Sequence, residues 1–253
     1  MAEKKITAAL IVIGDEILSG RTKDENIGYV AEYLTAIGIE LAEVRVVADL
    51  EEHIVEAVNS LRRKCNYVFT TGGIGPTHDD ITADSIAKAF GVAIDIDERA
   101  LAMMKVRYRE DQLTPVRLRM ARIPEGAELV ENSVSMTPGF MLENVIVMAG
   151  VPSIMQVMLD AVGPRLERGA VMLTKTIRLI KPEGDVAPGL SDVQDAFSEV
   201  SMGSYPFFEQ GKLGTNLVLR STEPALLHEA VDALLKRLKD DGFADAAELQ
   251  EDA

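Results

Sequence analysis

At 253 residues the chain exceeds one average domain, and its 47% hydrophobic content beside 26% charged residues marks a globular protein able to bury a large core. A net charge of -15 argues against nonspecific nucleic-acid binding, which needs clustered lysine and arginine to neutralise phosphates, and no apolar run reaches membrane-spanning length. The single cysteine, Cys65, leaves no intramolecular disulfide and no cysteine-only metal cage, which fits a cytoplasmic location.

In chain order, Ile6 to Ile13 is an apolar run suited to a strand buried on both faces, not a signal peptide, because Asp15 and Glu16 interrupt it without a small-residue cleavage site. The piece GDEILSG follows it. A helix is predicted over Ile27 to Ile37, closed by Gly38, then a strand over Ile39 to Val47 and a helix over Glu51 to Arg63. Asp49 stands between these last two, as a helix-start residue or as a group facing a site. Next comes VFTTGGIGPTHDDITAD, Val68 to Asp84, on which the rest is organised. Its β-branched strand ends at Gly72, the loop carries Gly72, Gly73, Gly75 and Thr77, and Asp79, Asp80 and Thr82 are placed to cap a helix over Ile81 to Phe90. A glycine loop opening a helix attracts anions, and carboxylates beside it make sense with a divalent cation between them and a phosphate. The same residues also cap ordinary strand-to-helix turns, and the string is neither a P-loop nor a GxGxxG fingerprint.

After Gly91 come VAIDID, a helical run Glu98 to Asp111 and a proline-started segment Thr114 to Ala121, an insertion able to cover the site. Between Arg99 and Arg122 lie seven basic residues (Arg99, Lys105, Arg107, Arg109, Arg117, Arg119, Arg122) against Glu110 and Asp111, mostly a solvated face, with one or two set to rim a phosphate. Phe140 to Leu142 and Val145 to Met148 read as a hairpin about Glu143-Asn144, followed by a helix Ser153 to Val162. The alternation predicts an α/β fold with a mostly parallel sheet between helix layers.

A fresh strand pattern, Val171 to Ile180, begins a smaller α/β unit. A Pro/Gly loop PEGDVAPG, a helix Asp192 to Val200, strands Ser201 to Phe208 and Leu213 to Arg220 and a helix Pro224 to Leu238 follow. Tyr205, Phe207 and Phe208 are read as packing aromatics rather than a base-stacking platform, and the acidic stretch after Lys239 as a solvated end. The expected division is 1–166, 167–240 and an acidic tail 241–253.

TTGGIGPTHDDIT resembles the signature loop of the molybdopterin-binding (MoaB/Mog-like) fold in its competence-damage-inducible CinA N-terminal subfamily. GDE with Asp24-Glu25-Asn26 resembles that family's first motif. Asn132 to Gly139, NSVSMTPG, is similar to its Asn-Pro-Val-Gly-Thr-Ala-Pro-Gly loop, with Ser133, Ser135, Met136 and Thr137 as departures. AGVPSIM is similar to Pro-Gly-Pro-Pro-Ser-Glu-Met, with Ala149 and Ile154 in place of a proline and the glutamate, nearer to the molybdopterin-binding-like half of eukaryotic FAD synthases. The resemblance covers Thr7 to about Leu166, places Asp49 toward the site and implies a dimer or trimer. The amidase domain of many CinA proteins is not expected.

The carboxylates set at strand ends near the glycine loop, Asp15, Glu16, Asp79 and Asp80, are the candidate ligands of a magnesium-like ion, with Asp15 and Asp80 needed for chemistry. His78 is a ligand or phosphate donor, or an exposed loop histidine that chemistry does not need. Ser135 and Thr137 are candidate phosphate donors, and Pro138-Gly139 would let backbone approach closely. The resemblance implies a metal-dependent nucleotide pyrophosphatase on ADP-ribose or FAD-like dinucleotides. A molybdopterin-binding protein and a noncatalytic oligomeric scaffold are the alternatives.

Overall fold

The computed structural model describes residues 5–209, 211–243 and 247–250. The chain divides into two compact units at Ala170/Val171. The first contains β1 (Ile6–Ile13), α1 (Asp15–Leu18), α2 (Asn26–Ala36), β2 (Ile39–Val47), α3 (Glu51–Leu61), β3 (Tyr67–Thr71), α4 (Thr82–Phe90), β4 (Ile94–Ile96), α5 (Glu98–Arg107) and α6 (Pro115–Leu118). It continues through β5 (Arg122–Pro124), β6 (Glu128–Val130), β7 (Gly139–Leu142), β8 (Val145–Met148) and α7 (Pro152–Val162). Six strands form one sheet in the order β2-β1-β3-β8-β7-β6, parallel from β2 to β8 and antiparallel at β7 and β6.

Why β1 is apolar throughout is visible in its two faces. Ala9, Ile11 and Ile13 pack with Ile54, Val58 and Leu61 of α3, while Ala8, Leu10 and Val12 pack with Val30 and Leu34 of α2 and Met155 and Leu159 of α7. A strand covered by helices on both sides has no polar face to alternate with. The result is a three-layer α/β/α unit. Parallel register sets the strand ends level: Ile13 lies beside Val47, Val12 beside Thr71, and Thr71 beside Met148. Because β7 runs against β8, with Phe140 opposite Val147, the loop entering β7 reaches this same edge.

The second unit holds β9 (Leu173–Leu179), α8 (Glu183–Ala196), β10 (Ser201–Glu209), β11 (Lys212–Ser221), α9 (Pro224–Asp240) and β12 (Ala247–Gln250), its antiparallel sheet ordered β10-β11-β9-β12. PEGDVAPG is not a loop, since α8 starts at Glu183 and contains Pro188. Tertiary packing overrides local propensity here. Val186, Gly189 and Val193 are buried along one face, and a Cβ on Gly189 would lie 3.3 Å from the Arg237 side chain of α9. Part of the expected solvated end is also structured: Ala247–Gln250 pairs with β9, and Ala247 packs on the small core. Asp245, Glu251 and Asp252 lie outside the described residues. The aromatics of β10 are not core, for Tyr205 is 48% and Phe208 71% exposed, while Phe207 lies under the Arg178 guanidinium. Among the described residues no helix is long and apolar enough to cross a membrane.

Gly72, just past β3, lies where two strands approach closely. Its φ is 102°, and a Cβ there would sit 2.2 Å from the Ile13 carbonyl oxygen. Gly72→Ala is therefore expected to cost roughly 2 kcal/mol or more, through a strained backbone and a displaced β1 end. A urea midpoint lowered at unchanged m-value is the measurement that checks it.

Candidate functional site

The loops at the shared edge carry nearly every predicted site residue. Gly14 ends β1, its N–H donating to the Val47 carbonyl at 3.1 Å, and the Glu16 carboxylate folds back to within 2.6 Å of where a Gly14 Cβ would be. The Asp15 N–H donates to Asp49 Oδ2 at 2.8 Å. Asp49 therefore does not cap α3, whose start at Leu50 has no side-chain cap. Its carboxylate ties the β2 end to the loop after β1. Burial pushes the Asp49 carboxyl above its ordinary range, the Asp15 N–H opposes this, and the negative charges of Asp15, Glu16 and Asp79 add to the rise.

The glycine loop is held from within. Asp80 Oδ1 accepts from the Gly75 N–H at 2.7 Å, and Oδ2 accepts from the Thr77 N–H at 2.7 Å and the Thr77 hydroxyl at 2.5 Å. The expectation that Asp79 and Asp80 cap the next helix is corrected: α4 begins at Thr82 behind Ile81, without a side-chain cap. The physical reason is proximity, since the loop amides offer Asp80 nearer donors. Thr82 instead closes the loop base, its hydroxyl donating to the Gly72 carbonyl at 3.0 Å and its N–H to that of Gly73 at 3.0 Å. His78 projects into solvent, its side chain 98% exposed, 3.9 Å from Asp79.

The NSVSMTPG loop is organised by Asn132, a buried residue whose role the sequence did not single out. Its Oδ1 accepts from the Val134 and Ser135 N–H groups, each at 3.1 Å, and its amide donates to the Ser135 hydroxyl at 2.6 Å and the Thr137 carbonyl at 2.9 Å. Because Ser135 accepts this bond, its own proton is free to donate to an anion. Thr137 is buried. Gly139 is required by packing, since a Cβ would lie 2.1 Å from the Val147 carbonyl oxygen. Ile154 packs against the apolar cluster of α2 and α7.

Beside the glycine loop lies a small cleft of about 20 Å³, lined among others by Gly73, Gly75, Asp80, Arg119, Arg122 and Pro138. The basic insertion thus reaches the site through two residues. Arg122 makes a two-pronged pair with Asp84 at 2.7 and 2.9 Å, and Arg119 Nη2 donates to the Asp80 carbonyl at 3.3 Å. Asp15, Glu16, Asp79 and Asp80 do not form a closed metal cage: among the described residues no three His, Cys, Asp or Glu side chains are so arranged.

These features define a class: a mostly parallel α/β unit of the molybdopterin-binding type, bearing its glycine loop at the strand ends, with a smaller antiparallel α/β unit after it. The profile described as "Probable molybdopterin binding domain" matches residues 9–168, and the profile of the FAD synthase middle domain matches residues 171–247. The chain belongs to the molybdopterin-binding domain family, joined here to a FAD synthase middle-type domain. A protein of Pyrobaculum calidifontis is 34% identical over 246 residues, 92% of this chain and 94% of that one. Another, from Thermoplasma acidophilum, is 39% identical over 158 residues, 61% and 62% of the two chains. The crystal structure of "the protein CinA with unknown function" from Thermoplasma acidophilum superposes with a TM-score of 0.60 at 37% identity, over 64% of this chain and 98% of that one.

The Asp49 environment sets a pH dependence. A carboxyl whose folded pKa is raised binds protons that the unfolded chain has already released, so stability falls as pH climbs from the unfolded to the folded value. Asp49→Asn, which keeps an acceptor for the Asp15 N–H, should match wild type at acidic pH and melt higher than wild type at neutral pH. Thermal melts across that range check the crossover.

Proposed function

We propose that the protein is a divalent-metal-dependent nucleotide pyrophosphatase acting on ADP-ribose or FAD-like dinucleotides. One observation carries the reading: the glycine loop and the residues Asp15, Glu16 and Asp49 lie at one sheet edge, where burial raises the Asp49 carboxyl and the neighbouring negative charges add to the rise. The match of the second unit to a FAD synthase middle domain supports a dinucleotide over other phosphates.

The donor set fits a hard cation, for it is made of oxygens only and is short of positive charge. Because among the described residues no three carboxylates converge, Asp15, Glu16, Asp49 and Asp79 would hold it with water completing its shell. When bound, such an ion supplies neutralisation of the phosphates and a more acidic water. The chain's own groups do the rest. The loop around Gly73 and Gly75 receives the phosphates, and Ser135, fixed by Asn132, donates its free proton to a phosphate oxygen. Asp80 keeps the loop in shape, because both its oxygens are taken by Gly75 and Thr77.

Asp15→Asn should lower magnesium-stimulated hydrolysis of ADP-ribose and FAD about tenfold or more and reduce the melting-temperature rise caused by magnesium. Asp80→Asn, which turns an amide toward a donor, should lose turnover but keep that rise, while His78→Ala keeps most activity. Unchanged, metal-dependent turnover in Asp15→Asn overturns the reading. A second reading, a pterin-binding protein, is favoured by the family description over residues 9–168. It predicts tight binding of molybdopterin without hydrolysis of either dinucleotide.

A further inference from the structure

Resting on the phosphate site just described, we propose that Arg119 is the residue that recognises the diphosphate of the bound nucleotide, from the cleft side of the glycine loop. Three observations single it out. It lines the cleft with Gly73, Gly75 and Asp80. Among the described residues its buried Nε–H has no hydrogen-bond partner, and the guanidinium donates to the Asp80 carbonyl at 3.3 Å. Among the described residues no carboxylate forms an ion pair with it, whereas Arg99, Arg109 and Arg122 are paired with Asp97, Asp111 and Asp84.

A half-buried guanidinium whose Nε–H is buried and unused is a poor structural strut and a good anion receptor. Desolvating the donor is unfavourable until an acceptor arrives, and a phosphate presents oxygens at the spacing of the guanidinium fork. Arg122 also lines the cleft, but Asp84 already occupies two of its N–H groups. The two arginines therefore divide the work: Arg122 fixes the β5 end against α4, and Arg119 carries the unspent charge. Asp80 links Arg119 to the loop, since its side chain shapes the turn and its carbonyl aims the guanidinium.

The test is calorimetric titration of the full chain with ADP-ribose, with inorganic pyrophosphate and with uncharged adenosine, with magnesium present throughout. Arg119→Gln is expected to weaken ADP-ribose and pyrophosphate binding about ten- to hundredfold, the range of hydrogen bonds to a charged group, with adenosine unaffected and the melting temperature held. Arg119→Lys, the variant to use if the glutamine form fails to fold, keeps the charge but loses the fork and should weaken both anions about tenfold. Pyrophosphate separates this proposal from the enzymatic one. If wild type binds pyrophosphate and Arg119→Gln does not, the proposal stands even where no dinucleotide is hydrolysed. Equal pyrophosphate binding by wild type and the variants overturns it, as does absence of pyrophosphate binding by wild type.

Discussion

The carboxylate of Asp80 holds the glycine loop, and the shape of the whole edge depends on it. A loop of small residues has high conformational entropy, so without a local acceptor it would sample many shapes. Here two backbone N–H groups and one hydroxyl converge on a single side chain, and Thr82 ties the base of the loop to Gly72 and Gly73. The turn is thereby fixed before any ligand arrives. Preorganisation of this kind places ordering cost in folding rather than in binding.

Sheet register makes that local order useful. Because β1, β2, β3 and β8 run parallel, the ends of all four lie level, and loops far apart in sequence are brought within reach of one another. Asp15 and Asp49, 34 residues apart, are joined by one hydrogen bond as a direct result. A one-residue slip would bring the helix-facing residues of β1 to the opposite layer, so burial on both faces protects the register that positions the carboxylates.

Much of this was legible in the residues. The apolar run of β1, the TTGG break after β3 and the Glu143-Asn144 turn each announce themselves through a single dominant local force, either burial on both faces or a turn that apolar strands cannot make. What stayed hidden depended on partners distant in sequence. Glycine and proline in α8 signal a loop until α9 supplies the close contact at Gly189. Asp49 looks like the cap of its own helix until the β1 loop offers a nearer N–H. Among seven basic residues of the insertion, only the three-dimensional placement of Asp97, Asp111 and Asp84 shows which charges are already spent.

Ile154 adds a last constraint. This side chain packs into the apolar cluster of α2 and α7, so the turn after β8 adds no carboxylate at this position to the edge. The acidic groups that remain follow β1, β2 and β3, and the cleft beside Gly75 is lined by Arg119 and Arg122 with Asp80 and Asp84, Arg122 being already paired with Asp84. Charge is thus divided across the loop. On the proposed reading an anionic ligand would meet Arg119 on one flank and carboxylates on the other, and a bound metal ion would make the carboxylate flank attractive. A diphosphate, with charge spread over two centres, can use both flanks at once, whereas a single phosphate must leave one of them uncompensated.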